Sequence, residues 1–383
     1  MLHDHAIASI RAIPLYGKAY VDWPSRFSEL EQTRTLVEVT TTSGIVSLGS
    51  IYTSVELVEA SLALLRPLFQ GASAIDPAAT TEKLHQNTFW QGRGGSVTHT
   101  ISGIDMALWD ILGQVTGQPI WRLLGGRYRD RIKPYASMLM EEPEKMPAKL
   151  RAAFDRGFRA FKIGWGPFGR VNDKTDEAII RASRDAIGDD CDLMVDAGGS
   201  DAFWPHNYKW ALNKSEMLAD YGVCWFEEPL RPDDLEGHVQ LTRNARVKIA
   251  SGECLTRRQS FLPWIERRAV DYLQPDVTKV GGLTDQHRIG QYADEHSIMV
   301  VPHGWNTGVG LAADLHLVAA AGNARWVEFL TPEPYMDDVF ETPLKLDETG
   351  HLPIPDGPGY GYRWNRDGIA RLSKGVKISE SRL

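Results

Sequence analysis

Cysteine is scarce in this chain of 383 residues, with only Cys191, Cys224 and Cys254 present. An odd number of thiols in or beside apolar runs argues against a disulfide framework and for reduced, packed side chains. The same packing role is expected of Cys254, next to Glu253. Blocks of Lys and Arg are also missing. With 42 basic residues against 50 acidic ones and a formal charge of -8, the chain offers no electrostatic footprint for nucleic acid or an anionic membrane. No apolar run approaches the roughly 20 residues needed to span a bilayer, and the first thirty residues lack a basic stretch leading into an apolar one. A cytoplasmic protein without nucleic-acid or membrane partners is expected. Internal repeats and low-complexity segments are absent as well.

What is present is an ordered alternation. Residues 7–15, 33–41 and 44–51 read as short antiparallel strands, with Ser43-Gly44 as a turn. Ile104, Leu108, Ile111, Leu112 and Val115 then recur at helical spacing, predicting an amphipathic helix that stops near Gly117 before Pro119. From about residue 131, apolar runs at 133–139, 158–164, 191–197, 223–229, 247–253, 272–276, 298–303 and 325–330 alternate with amphipathic stretches such as 176–187 and 284–296. This is the signal of βαβ units and a parallel sheet. The expected fold class is α/β: a (β/α)8-type barrel over 131–335, an α+β N-terminal capping domain over 1–130, and a C-terminal segment, 336–383, that packs back to complete the cap. The length suits this division, since such barrels take about 250 residues.

Five of these runs end by handing an ionisable group to a turn: Asp196, Glu227, Glu253, Asp276 and His303. The carboxyl ends of barrel strands are where a barrel enzyme keeps its active site. Three carboxylates converging from successive strands need a counter-ion, and an all-oxygen donor set suits Mg2+. Asp196, Glu227 and Glu253 are therefore the candidate metal ligands.

The run Phe226-Glu227-Glu228-Pro229-Leu230, after Val195-Asp196 and before Ser251-Gly252-Glu253, resembles the metal-binding signature of the enolase superfamily. Ser102-Gly103-Ile104-Asp105-Met106-Ala107-Leu108-Trp109-Asp110, with Leu123-Leu124-Gly125-Gly126, is similar to its capping-domain helix. The likeness covers nearly the whole chain. It implies Glu227 rather than Glu228 as ligand; strand alternation would turn Glu228 to the other side, where it makes a contact that supports the ligands or the fold. It also implies a bound Mg2+ that stabilises the ene-diolate formed when a proton α to a carboxylate is removed.

Asp276 and His303 resemble the Asp-His dyad of the mandelate racemase subgroup, His303 as base and Asp276 as the group that orients it. On the second strand the subgroup carries Lys-x-Lys, whereas this chain has Lys162 and then Gly164. Two roles stand for Lys162: an electrostatic group near the substrate carboxylate, or the base itself. Glu328 resembles a family acid that hydrogen-bonds the substrate carboxylate, with an ordinary strand-end acid as the other reading. One secure base favours dehydration, in which the same imidazolium returns its proton to a leaving hydroxyl, over racemisation, which needs two opposed bases. The expectation is a Mg2+-dependent dehydratase of an acid sugar, an aldonate or aldarate. A racemase, epimerase or lactone cycloisomerase and a catalytically silent metal-binding barrel stand as alternatives. The resemblance further implies a homo-oligomer. Loops at 164–170 and 201–206, Trp305-Asn306, and the cap segments 20–26 and 51–53 are candidate rim and specificity elements.

Overall fold

The structure is a computed structural model, and it describes residues 5–16, 33–199, 207–330 and 334–373. The candidate segments 20–26 and 201–206 lie outside the described residues.

Three antiparallel strands open the chain, β1 (Ile7–Leu15), β2 (Arg34–Thr41) and β3 (Val46–Ile51), paired in the order β1-β2-β3. Gly44, at φ 84°, makes the turn between the last two. Helices α1 (Val55–Phe69), α2 (Pro77–Gln86), α3 (Gly95–Thr116) and the short α4 (Ile120–Leu123) follow. Helix α3 ends where expected, at Gly117 in the left-handed conformation, which frees the last carbonyls to be capped. The single inward stripe predicted for it is not what is found. Nearly every residue from Thr98 to Gly113 is buried, because α3 lies between the cap sheet and a barrel helix. The sheet side is especially close: a Cβ on Gly49 would stand 1.8 Å from the Gly103 carbonyl oxygen.

The barrel follows as β4 (Arg131–Leu139), α5 (Met146–Asp155), β5 (Ala160–Gly164), α6 (Asp173–Ile187), β6 (Asp192–Asp196), α7 (Tyr208–Asp220), β7 (Trp225–Glu227), α8 (Leu235–Asn244), β8 (Lys248–Ser251), α9 (Arg257–Glu266), β9 (Tyr272–Leu273), α10 (Gly282–Glu295), β10 (Met299–Val300), α11 (Gly308–Ala320) and β11 (Trp326–Leu330). Strands β4 to β10 are parallel neighbours in chain order, and β11 returns to pair with β4 on its other edge. Near β10 and β11 the curl is joined by one isolated bridge, Val300 to Ala324. No helix among the described residues is long and apolar enough to cross a membrane.

The remaining chain contains α12 (Pro334–Asp337), β12 (Leu352–Pro353) and α13 (Arg366–Ser373). It touches both halves. Strand β12 pairs with β4, while Tyr360 N–H donates to Asp110 of α3 at 2.7 Å and Tyr16 N–H donates to the Leu372 carbonyl at 2.8 Å.

Strand alternation explains how the barrel interior is layered. Tyr135, Ala160, Met194, Trp225, Ala250, Val301 and Trp326 form one buried apolar cluster, with Tyr272 packed against it. Residues two further along a strand share its face. Adding two to Ala160, Met194, Trp225, Tyr272, Val301 and Trp326 gives Lys162, Asp196, Glu227, Gln274, His303 and Glu328. The polar site is thus the next layer above an aromatic floor.

Candidate active site

Lys162, Asp196, Glu227, Glu253, Asp276, His303 and Glu328 are all brought to the carboxyl end of the barrel strands. Oxygens of Asp196, Glu227 and Glu253 lie within 4.8 Å of one another. Glu227 is completely buried and held by three donors: Lys162 Nζ to Oε1 at 2.5 Å, and Trp225 Nε1 and Gln274 Nε2 to Oε2 at 2.9 and 2.7 Å. Asp196 accepts from the Gly198 N–H at 2.8 Å. Its burial, compounded by the charges of Glu227 and Glu253, pushes its carboxyl well above the ordinary range despite Lys162. Three carboxylates that cannot all be ionised cheaply at this spacing are a donor set in search of a cation. All-oxygen ligation fits Mg2+.

Lys162 is the ammonium among them. Besides Glu227 it reaches Glu328 at 3.1 Å and Asp196 at 3.6 Å. Burial alone would lower its pKa, but Glu227 and Glu328 outweigh that and hold it well above the usual value. Glu328 also accepts the Gly304 N–H at 2.6 Å, tying the eighth strand to the turn that carries His303. Gly164, at the end of β5, is in register with Asp196. A Cβ at Gly164 would stand 2.7 Å from Asp196 Cβ, so the aspartate stem occupies the space a side chain there would need.

On the other side, the Asp276 and His303 backbones bridge directly, and His303 Nδ1 lies 2.8 Å from Asp276 Oδ2. The second Asp276 oxygen accepts from the Thr278 N–H and hydroxyl at 2.8 and 2.6 Å. Burial would raise the Asp276 carboxyl, but Lys279 and the hydrogen bonds from His303 and Thr278 hold it well below the carboxylate range. His303 Nε2 faces Glu253 Oε2 at 3.0 Å. A carboxylate thus faces each ring nitrogen, an arrangement that favours the protonated ring. Its pKa stands well above the ordinary value although burial works against it, chiefly through Glu253. Glu253 in turn is held at about 2 against the pull of burial, by His303 and Lys279.

Several functional neighbours escaped the sequence. Trp225 and Gln274 were open to strand alternation, each lying two residues before a strand-end acid. Lys279, buried beside Asp276, had no such signal. Glu228 departs from the expected alternation: at φ 41° the chain has left the strand, and its carboxylate comes within 4.8 Å of atoms on Glu253 and Cys254. Cys254 is exposed rather than packed, because it follows Gly252 into the turn instead of ending a strand. In the loop after β5, Phe168 is core, packed edge-on against Trp210 and Phe226. Asn306 is also buried, while Trp305 is half-buried.

Comparison with known families agrees with this geometry. Residues 145–368 match the family described as enolase C-terminal domain-like, and residues 23–125 match the mandelate racemase / muconate lactonizing enzyme N-terminal domain. The chain belongs to the mandelate racemase / muconate lactonizing enzyme family of the enolase superfamily, whose sites work with Mg2+. It is 34% identical over 306 residues to the D-galactarolactone cycloisomerase of Agrobacterium fabrum (strain C58 / ATCC 33970), covering 74% of this chain and 76% of that one. It is 32% identical over 340 residues to the arabinonate dehydratase of Saccharolobus solfataricus (strain ATCC 35092 / DSM 1617 / JCM 11322 / P2), covering 87% and 88%. Among solved structures, the 3,6-anhydro-D-galactonate cycloisomerase from Zobellia galactanivorans superposes with a TM-score of 0.86 at 28% identity, over 96% of this chain and 99% of that one. Its relatives therefore include acid-sugar dehydratases and cycloisomerases, one of them acting on a sugar lactone.

Proposed function

We propose that this protein is a Mg2+-dependent enzyme that removes the proton α to the carboxylate of an acid sugar and then expels a β-hydroxyl, giving a 2-keto-3-deoxy acid. Asp196, Glu227 and Glu253 are the residues that would hold the cation. Bound there, it would supply Lewis acidity to the substrate carboxylate, lowering the cost of the charge that builds on its oxygens. His303 is the base: Asp276 fixes the ring through Nδ1 at 2.8 Å, and Nε2, which faces Glu253 at 3.0 Å, is the nitrogen that would take the proton once Glu253 is turned to the cation. Lys162, already shared among three carboxylates, serves as a fixed positive charge and not as a proton carrier. Glu328 steadies Lys162 and the His303 turn.

The observation that carries the dehydratase reading is the asymmetry between the two sides. One imidazole stands on one side, while opposite it the stem of Asp196 fills the space beside Gly164. A single imidazolium can return its proton to the departing hydroxyl on its own face; inversion of a stereocentre needs a second base. A cycloisomerase also needs only one face, and the likeness to two such enzymes makes it the second reading. The division into a cap at 1–130, a barrel at 131–335 and a returning segment at 336–383 belongs to the same proposal. The test is a screen of aldonates, aldarates and their lactones with Mg2+ in D2O. Loss of water with a 2-keto product supports dehydration. Lactone opening with one deuterium incorporated and no loss of water supports the cycloisomerase, and exchange at both faces would overturn the one-base scheme.

A further inference from the structure

Lys279 has been assigned no role in the proton transfer, yet its side chain reaches the base side, a candidate metal ligand and the cap together. Its backbone N–H donates to the Asp276 carbonyl at 3.0 Å, so a tight turn sets it three residues past the dyad acid. Its ammonium lies 3.4 Å from Asp276 Oδ2 and 3.9 Å from Glu253 Oε1. Both separations exceed those of direct charge-assisted bonds, about 2.7–2.9 Å, so the charge is shared between the two acids. The third neighbour is the ring of Tyr52, whose centroid is 4.7 Å from the same nitrogen. Tyr52 sits between β3 and α1 of the cap. Its carbonyl is 3.1 Å from His99 Nδ1 on α3, and the next residue is anchored by Thr35 Oγ1 donating to the Thr53 carbonyl at 2.8 Å. The cap therefore determines where the ring stands, and the ring helps determine where the ammonium stands.

We propose that Lys279 is a positioning residue, through which the cap residue Tyr52 holds Asp276 and Glu253 in the arrangement His303 requires. Asp276 Oδ2 serves both His303 Nδ1 and Lys279, and Glu253 serves both through its two oxygens. Removing the ammonium leaves two acids with one partner fewer and frees the orienting carboxylate to turn. This inference rests on the proposed role of His303.

The test uses the full chain loaded with Mg2+ and an acid sugar that the wild type converts, comparing Lys279→Met, Lys279→Arg and Tyr52→Leu. For a group acting on the base, Lys279→Met should lower kcat by about a hundredfold with KM changed less than about threefold, and Lys279→Arg should recover most of the loss. Tyr52→Leu should lower kcat by about tenfold in the same pattern. A readout independent of turnover is Mg2+ affinity by calorimetry: with one competing cation gone, Lys279→Met should bind Mg2+ at least about threefold more tightly. A Lys279→Met enzyme with kcat within threefold of wild type, or one losing KM alone, overturns the proposal. If the wild type converts no acid sugar, the functional reading itself fails, and an unchanged Mg2+ affinity in Lys279→Met would separately overturn the placement of Lys279.

Discussion

Asp196 and Asp276 end the third and sixth barrel strands, and both are buried, at 5% and 0% exposure. Their carboxyls are nonetheless driven in opposite directions. Asp196 faces Glu227 and Glu253 and is pushed up; Asp276 faces Lys279, His303 and two Thr278 donors and is pulled down. The same residue type at equivalent places in one barrel acquires two chemistries from its neighbours alone. One side is an excess of negative charge that calls for a cation. The other is internally balanced and can orient a base.

The sharpest way to break this separation is His303→Asn. Loss of the general base should lower kcat/KM by about a thousandfold while Mg2+ affinity is kept or raised, since the group that faces Glu253 at 3.0 Å and competes with the cation is gone. Equal losses of both would show that the two sides are not independent. Next in size is Glu227→Gln, which removes one of the three converging charges and should weaken Mg2+ binding by about a hundredfold in calorimetry, with a lowered melting temperature of the metal-free protein because a buried partner of Lys162 is lost. Gly164→Ala places a methyl against the Asp196 stem. Such overpacking should cost about 1–3 kcal/mol in urea unfolding and weaken Mg2+ binding, with no effect on the dyad.

The smallest effect concerns protons. Burial works against the charged His303 ring, but Glu253 facing Nε2 raises its pKa above the ordinary value. For a group raised in this way, the stabilisation is present at low pH and is lost as pH climbs through its folded-state value. Engaging Glu253 with Mg2+ removes that acceptor, and about one proton should be released per Mg2+ bound, measured by calorimetry in buffers of different ionisation enthalpy. The release should vanish in His303→Asn. If it persists, the proton comes from Asp196, and the comparison is redrawn accordingly.

Much of this was legible from residue order. The eight strands, the capping sheet and the end of α3 at Gly117 follow from period, turn chemistry and helix stops. Asp196, Glu227, Asp276 and His303 could be named because strand alternation leaves them pointing inward at the mouth, where apolar runs give way to turns. The misreadings share a physical origin. Glu228 and Cys254 lie just beyond a strand, where φ values of 41° at Glu228 and 131° at Gly252 end the alternation. The stripe on α3 was real, but it could not reveal that a second surface, the barrel, would cover the opposite side.

Read alone, the chain determined which ionisable groups stand at the strand ends, because alternation and turn chemistry are local properties. Only the tertiary structure decided what each group is for. Lys162 meets Glu227 across 65 residues of sequence, and His303 meets Asp276 across 27. The same closure set Lys279 under Tyr52 and packed Asp196 against Gly164. Charge interactions fall off with distance in space, not along the chain, so the division between a cation site and a base could appear only once the barrel had closed.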